Sequence, residues 1–417
     1  MNLLAYKKGE PRVHISIDIL ILLLISTHCF EITPLDDVFL NNGGFTIYML
    51  ALAVIYIRNL GFQIRYGIFP KLKPMWWILA GVLISFIPAY LYYGQHLYHS
   101  LIVYRQFAAY AVYPVLLSIK PTKKELQRAL YSYVVIYFFA MFWLTFIRPD
   151  WVEVREGMSL IQDGDFFHAI AGDQFILLAL IFALDDFRSK KRKIRYGTLS
   201  VLIFVVIFFI QSRTILLASI IIIVMSVLSN KQARSRMAAE LLLLFFGIAF
   251  FSLAADNIIA LIMETNLQLS DPDYNRVKAF LYFISGENGW PSYLWGNGLI
   301  SGNVHPLMEQ LRKEGIFNSD LGLVGMWNQF GIIPSLTILV YVFKGMSKNH
   351  SFVVRANAVY ILVGALSISY FYIIRYSLWL CLFFYFYHSD DYYLEALRRE
   401  KEKALRRIWN RYRSISS

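Results

Sequence analysis

Apolar residues fall into twelve runs of 13–23 residues, at about 14–30, 45–57, 75–93, 97–119, 129–147, 167–184, 197–210, 214–229, 239–256, 321–343, 357–373 and 376–388. Polar, mostly basic segments punctuate them. A helix needs about 20 apolar residues to cross a bilayer, and shorter ones manage by tilting or by cover from neighbours. The pattern therefore predicts an all-α polytopic integral membrane protein with about 12 transmembrane helices. The run at 14–27 resembles a signal-peptide core. No A-x-A-like cleavage site follows it and many further runs do, so it reads as an uncleaved first helix.

Charge fixes the expected orientation. With the N-terminus inside, the inner segments are 1–13, 58–74, 120–128, 185–196, 230–238, 344–356 and 389–417. Together they hold 31 of the 40 Lys and Arg residues. Basic loops stay cytoplasmic, so both termini are expected in the cytoplasm. The same rule splits 197–229 into two crossings, because both flanks are basic (RSKKRKIR and KQARSR). Gln211-Ser212-Arg213 then becomes an outward hairpin tip.

Composition agrees with this frame. The chain has 417 residues, 58% hydrophobic and only 16% charged, against about 45–50% and 25% for soluble domains. That argues against a soluble multidomain enzyme and against disorder. The net charge of +12 is explained by loop placement and does not call for nucleic acid as a partner. Cys29 and Cys381 both lie in apolar runs and form neither a zinc spacing nor a disulfide framework.

The expected organisation is helices 1–9 over 1–256, a large periplasmic loop over 257–320, helices 10–12 over 321–388 and a basic cytoplasmic tail over 389–417. A loop of 64 residues is too long for a plain connector. It holds a helix-like stretch near 275–285, a Gly/Pro/Trp-rich stretch (SGENGWPSYLWGNGLISGN) and an amphipathic stretch at 305–314. A second outer loop covers 148–166. The tail reads as a basic amphipathic helix that anchors on anionic lipid.

Nine cations break the inside rule: Arg105, Arg148, Arg155, Arg213, Arg276, Lys278, Arg312, Lys313 and Arg375. Arg105 sits eight residues into its run, roughly 12 Å deep at 1.5 Å per residue. An intramembrane Arg costs about 2.5–3.5 kcal/mol by insertion scales, so it calls for an anionic ligand or a partner. The bland alternatives are snorkelling beside Tyr104 or pairing with Asp173, itself inside a run. Taken singly, Arg213, Arg276 and Arg375 are ordinary interfacial residues. Converging on one outward cavity, such forks would suit a diphosphate.

His305, in the large loop with Arg276, could act as a base toward a sugar hydroxyl or be a surface residue. Asp271, Asp273 and Asp320 are acidic alternatives. The pairs Asp163/Asp165 and Asp271/Asp273 match a metal-holding D-x-D triplet but face outward, where nucleotide sugars are absent, so they read as polar loop. Nucleotide-binding and zinc-protease motifs are missing from the sequence.

Three stretches carry a family likeness: IQSRTILLASII, NRVKAFLYFISGENGWPSYLWGNGLIS and FNSDLGLVGMWNQFGIIP. In order and in outward placement they resemble the bacterial O-antigen polymerase/O-antigen ligase superfamily of polytopic glycosyltransferases. Likeness in detail covers about a quarter of the chain. The resemblance implies transfer of a glycan from undecaprenyl diphosphate at the periplasmic face of the inner membrane, with no metal and no cofactor. Arg213 matches the family's hairpin Arg, Arg276 its loop Arg, and Arg105 the Arg of the earlier span. All three are expected to engage the lipid diphosphate. Where the family often has a His, this chain has Asn318-Ser319-Asp320, which leaves His305 and Asp320 as candidate bases.

The missing His favours a polymerase of lipid-linked repeat units over a ligase that moves glycan to lipid A-core. A lipid-linked oligosaccharide flippase is the alternative of another class, and the long outer loop argues against it. Expected partners are undecaprenyl-diphosphate-linked glycans and membrane lipids. A polysaccharide chain-length regulator is an admissible further partner.

Overall fold

The computed structural model describes residues 13–31, 43–58, 72–146, 172–189, 193–210, 212–228, 275–284, 288–300, 306–314, 316, 321–366, 368 and 374–390. Among these the protein is all-helical. In chain order the helices are α1 Val13–Ser26, α2 Gly43–Arg58, α3 Lys73–Ile84, α4 Phe86–Tyr93, α5 Leu97–Tyr104, α6 Val112–Ile119, α7 Lys123–Phe146, α8 Asp173–Ser189 and α9 Lys193–Ile210. There follow α10 Arg213–Leu228, α11 Asn275–Ile284, α12 Pro291–Trp295, α13 Leu307–Lys313, α14 Gly322–Phe330, α15 Ile332–Gly345, α16 Phe352–Val363 and α17 at 374–390. The expected run at 239–256, the outer loop at 148–166 and the basic tail lie outside the described residues.

Prolines and caps set the breaks. Pro88 lacks the N–H that would bond the Ile84 carbonyl, and α3 gives way to α4 at Ser85. Pro114 likewise leaves the Tyr110 carbonyl without its i+4 donor, and a 3-10 segment, Arg105–Ala111, joins α5 to α6. Lys120 turns left-handed ahead of Pro121 and ends α6. Thr122 and Glu125 then cap the start of α7 reciprocally, with the Thr122 N–H donating to Glu125 Oε2 at 2.8 Å and the Glu125 N–H to Thr122 Oγ1 at 3.3 Å. This is a capping box, which satisfies two otherwise orphaned donors.

The centre of the bundle is α8. Its residues from Phe175 to Ala183 are almost wholly buried, flanked by α7, α9, α10 and α16. Tyr133, Tyr137, Tyr360 and Trp379 fill the space around it. Each end of the bundle is polar. At one, Lys123 pairs with Asp185 and with Asp186 Oδ1 at 2.8 Å, and Gln127 Nε2 donates to Asp186 Oδ2 at 2.9 Å. At the other, Tyr133 donates to the Gly172 carbonyl at 3.2 Å, beside Asp173.

Between the polar ends the outer faces are apolar. Leu91 is 68% exposed, Phe139 64%, Val54 63% and Phe343 60%, among many other exposed large apolar side chains. Two helical stretches, Lys73–Tyr93 and Leu97–Ile119, are long and apolar enough to cross a membrane.

Candidate functional site

Within the Gly/Pro/Trp-rich stretch, residues 296–299 fold inward as a buried latch. Pro291 opens α12 at its first position, where a missing N–H costs nothing. After Trp295 the chain has no regular secondary structure over 296–300, with Gly296 to Leu299 buried. The N–H groups of Asn297 and Gly298 donate to the carbonyls of Asn328 (2.7 Å) and Gln329 (2.9 Å) at the end of α14. The Leu299 N–H donates to Tyr104 Oη at 2.7 Å, and the Leu299 carbonyl accepts from Gln95 Nε2 at 3.0 Å.

Donor roles follow down the chain of hydroxyls. Ser85 Oγ donates to the Val82 carbonyl at 2.7 Å, so the Tyr104 hydroxyl donates to Ser85 across 2.9 Å. Gln95 also reaches Ser100 Oγ at 2.9 Å. Asn288 Nδ2 bridges Asn297 Oδ1 (2.8 Å) and Tyr93 Oη (3.0 Å). Gly298 is required where it sits. Its φ is +80°, and a Cβ there would lie 2.5 Å from Ala89 Cβ and 2.8 Å from the Ser85 carbonyl.

Arg105 opens the 3-10 segment directly after Tyr104. It is exposed and lines an apolar flank groove with Trp76, Leu83 and Leu101. Arg276 is the second residue of α11. That helix packs through Ala279 and Phe283 against Leu311, Ile316 and Leu321, and its Phe283 carbonyl accepts from Asn328 Nδ2 at 3.1 Å. The elements carrying Arg105 and Arg276 are thus tied to one another through the latch and α14.

Arg213 is the first residue of α10. Its neighbour Ser212 hydrogen-bonds the Asp173 carboxylate, which also feels the charge of Arg375. Arg375 lies 5.4 Å from the Tyr376 ring centroid. Asp173 thus lies within electrostatic reach of Arg375. His305 and Asp320 lie outside the described residues, as do Asp163, Asp165, Asp271 and Asp273.

A small cavity of about 30 Å³ adjoins the latch, lined by Tyr93, Asn297, Asn328 and Gln329. Gln329 Oε1 is buried there with no hydrogen-bond partner among the described residues. The space is enough for one water and excludes a sugar ring. Aromatic surface for a sugar is instead available beside it, where Trp290 is 72% and Trp295 47% exposed.

The latch residues Ser85, Gln95, Tyr104, Asn297 and Asn328 were not candidates from sequence. Their signal is polarity inside apolar runs: Ser85 ahead of Pro88, and Asn328-Gln329 ahead of Gly331. No protein-family model matches the chain, and no curated protein matches it.

Proposed function

We propose that the protein is an O-antigen polymerase of the bacterial inner membrane, with twelve spans, cytoplasmic termini and a site facing the periplasm. The observation that carries this reading is the hydrogen bond from Leu299 to Tyr104. It couples the span bearing Arg105 to the loop bearing Arg276, as a common site for one lipid diphosphate requires. The likeness of the three sequence stretches supplies the reaction class. The apolar outer faces and the two long apolar helices support the membrane setting.

The donor is a growing glycan on undecaprenyl diphosphate and the acceptor a single repeat on a second carrier. His305 or Asp320 takes the proton from the acceptor hydroxyl as its oxygen attacks the donor's anomeric carbon. The bond from that carbon to the diphosphate oxygen breaks, and undecaprenyl diphosphate leaves with the electron pair. Arg105, Arg213 and Arg276 stabilise the charge gathering on the leaving group. Preorganised contacts of this kind are worth about 10²–10³ in rate each.

The test is the surface-glycan profile of a strain lacking the gene, beside the same strain carrying wild-type, Arg213→Ala or Arg276→Ala protein. A lipid core capped with one repeat and no ladder, restored only by wild type, is the expected result. An uncapped core with long glycan on the carrier would make the protein a ligase. Repeats accumulating on the cytoplasmic face would make it a flippase.

A further inference from the structure

At the basic end of the bundle a groove of about 870 Å³ runs between α7 and α9, with Asp186 of α8 in its floor. Its lining changes character along its length. Lys124, Arg128 and Arg195 sit at the polar end, and Val134, Leu202 and Ile203 lie further in. From residue 124 to residue 135 of α7 is about 16 Å at 1.5 Å per residue, which spans a headgroup, its glycerol and the start of an acyl chain. The spacing puts Lys124, Arg128, Tyr131 and Val135 on one face of α7, and Arg195, Leu199 and Leu202 on one face of α9.

The charge in this groove is unbalanced. Asp186, the acid in its floor, is already engaged by Lys123 and Gln127. Lys124, Arg128 and Arg195 are all exposed, and none forms an ion pair with a described residue. Three cations over an apolar channel complement a ligand with an anionic head and a hydrocarbon tail, and basic recesses between helices bind such lipids.

We propose that this groove binds one anionic phospholipid, its phosphate held by Lys124, Arg128 and Arg195 and one acyl chain laid along Val134, Leu202 and Ile203. The site is at the opposite end of α8 from Asp173 and Ser212, so it is separate from the diphosphate site proposed above. It requires that the protein sit in a membrane and does not require that it be a polymerase.

The experiment is native mass spectrometry of the purified full chain in detergent, supplied with equal amounts of palmitoyl-oleoyl phosphatidylglycerol and phosphatidylcholine. The expected spectrum shows one retained phosphatidylglycerol. K124Q/R128Q/R195Q should lower its apparent affinity by about fivefold per charge, on the order of a hundredfold in all. K344Q/K348Q, two exposed cations at the end of α15 and just beyond it, should leave it unchanged. R195Q alone, with about a fivefold loss, serves if the triple variant does not fold. Equal retention of the two lipids by wild type overturns the proposal, as does undiminished retention by R195Q or the triple variant. Displacement of the lipid by millimolar inorganic phosphate would reassign the cations to a free anion. None of these readouts involves a glycan ladder, so the polymerase reading can fail without this one failing.

Discussion

The Leu299 N–H and the Tyr104 hydroxyl, 195 residues apart in the chain, meet at 2.7 Å in a buried position. Tyr104 passes the bond on to Ser85, at the break between α3 and α4. A hydroxyl that accepts from the loop and donates to the helix break joins three segments through one oxygen.

Tyr104→Phe keeps the ring contacts with Phe86 and Phe330 and removes only that atom. It leaves the Leu299 N–H unsatisfied, at a cost of about 1–3 kcal/mol. Thermal unfolding in detergent should show the loss. Limited proteolysis should cut the variant within 288–300 before it cuts wild type. Under the proposed function, chains made by the variant should also be shorter.

Two glycines separate backbone conformation from crowding. Gly94 has φ +63° with open space where a Cβ would lie, whereas Gly298 has φ +80° and meets Ala89 and the Ser85 carbonyl. Gly94→Ala should cost about 1–2 kcal/mol, the left-handed penalty alone. Gly298→Ala should add a further overpacking cost of about 1–3 kcal/mol. Equal unfolding midpoints for the two variants would show that the latch is not closely packed.

Helix positions were legible because the runs are long and apolar, and in the membrane setting proposed above such a run satisfies its backbone only within itself. The run at 45–57 became Gly43–Arg58, and that at 97–119 ended where Lys120 turns. The stretches expected near 275–285 and 305–314 became α11 and α13. Tertiary partners were not legible. Nothing local to Asp173 shows that Arg375 rather than Arg105 is the cation whose charge it feels, since that depends on which helix ends meet. The breaks at Ser85 and Gly331 lie within runs that composition reads as continuous. The depth of the latch was hidden too, because a Gly-rich loop that inserts and one that floats have the same composition.

Hydrogen bonding divides the tryptophans near the latch by role. Trp327 Nε1–H donates to the Tyr293 carbonyl, so Trp327→Phe should lose about 0.5–1.5 kcal/mol of stability. Trp290 is largely exposed, and Trp290→Ala should stay within about 0.5 kcal/mol of wild type. If its face stacks on sugar, the same variant should shorten the glycan ladder. A ladder of normal length from well-expressed Trp290→Ala would remove it from the substrate path.

The Asp173 carboxylate takes the Ser212 hydroxyl, next in the chain to Arg213, and feels the charge of Arg375. Asp173→Asn keeps the shape but removes the charge that holds the Ser212 hydroxyl and that Arg375 feels, at a cost of about 1.5–3 kcal/mol. Arg375→Met removes the cation instead and leaves the carboxylate uncompensated. If the two groups act as a pair, the double variant should be less destabilised than the sum of the single ones, by about 0.5–3 kcal/mol of coupling. Ser212→Ala should cost less than either, and under the proposed function it should lower polymer output more than it lowers stability, because it frees the residue next to Arg213. Strict additivity in unfolding free energies would mean that Asp173 and Arg375 are neighbours without being partners.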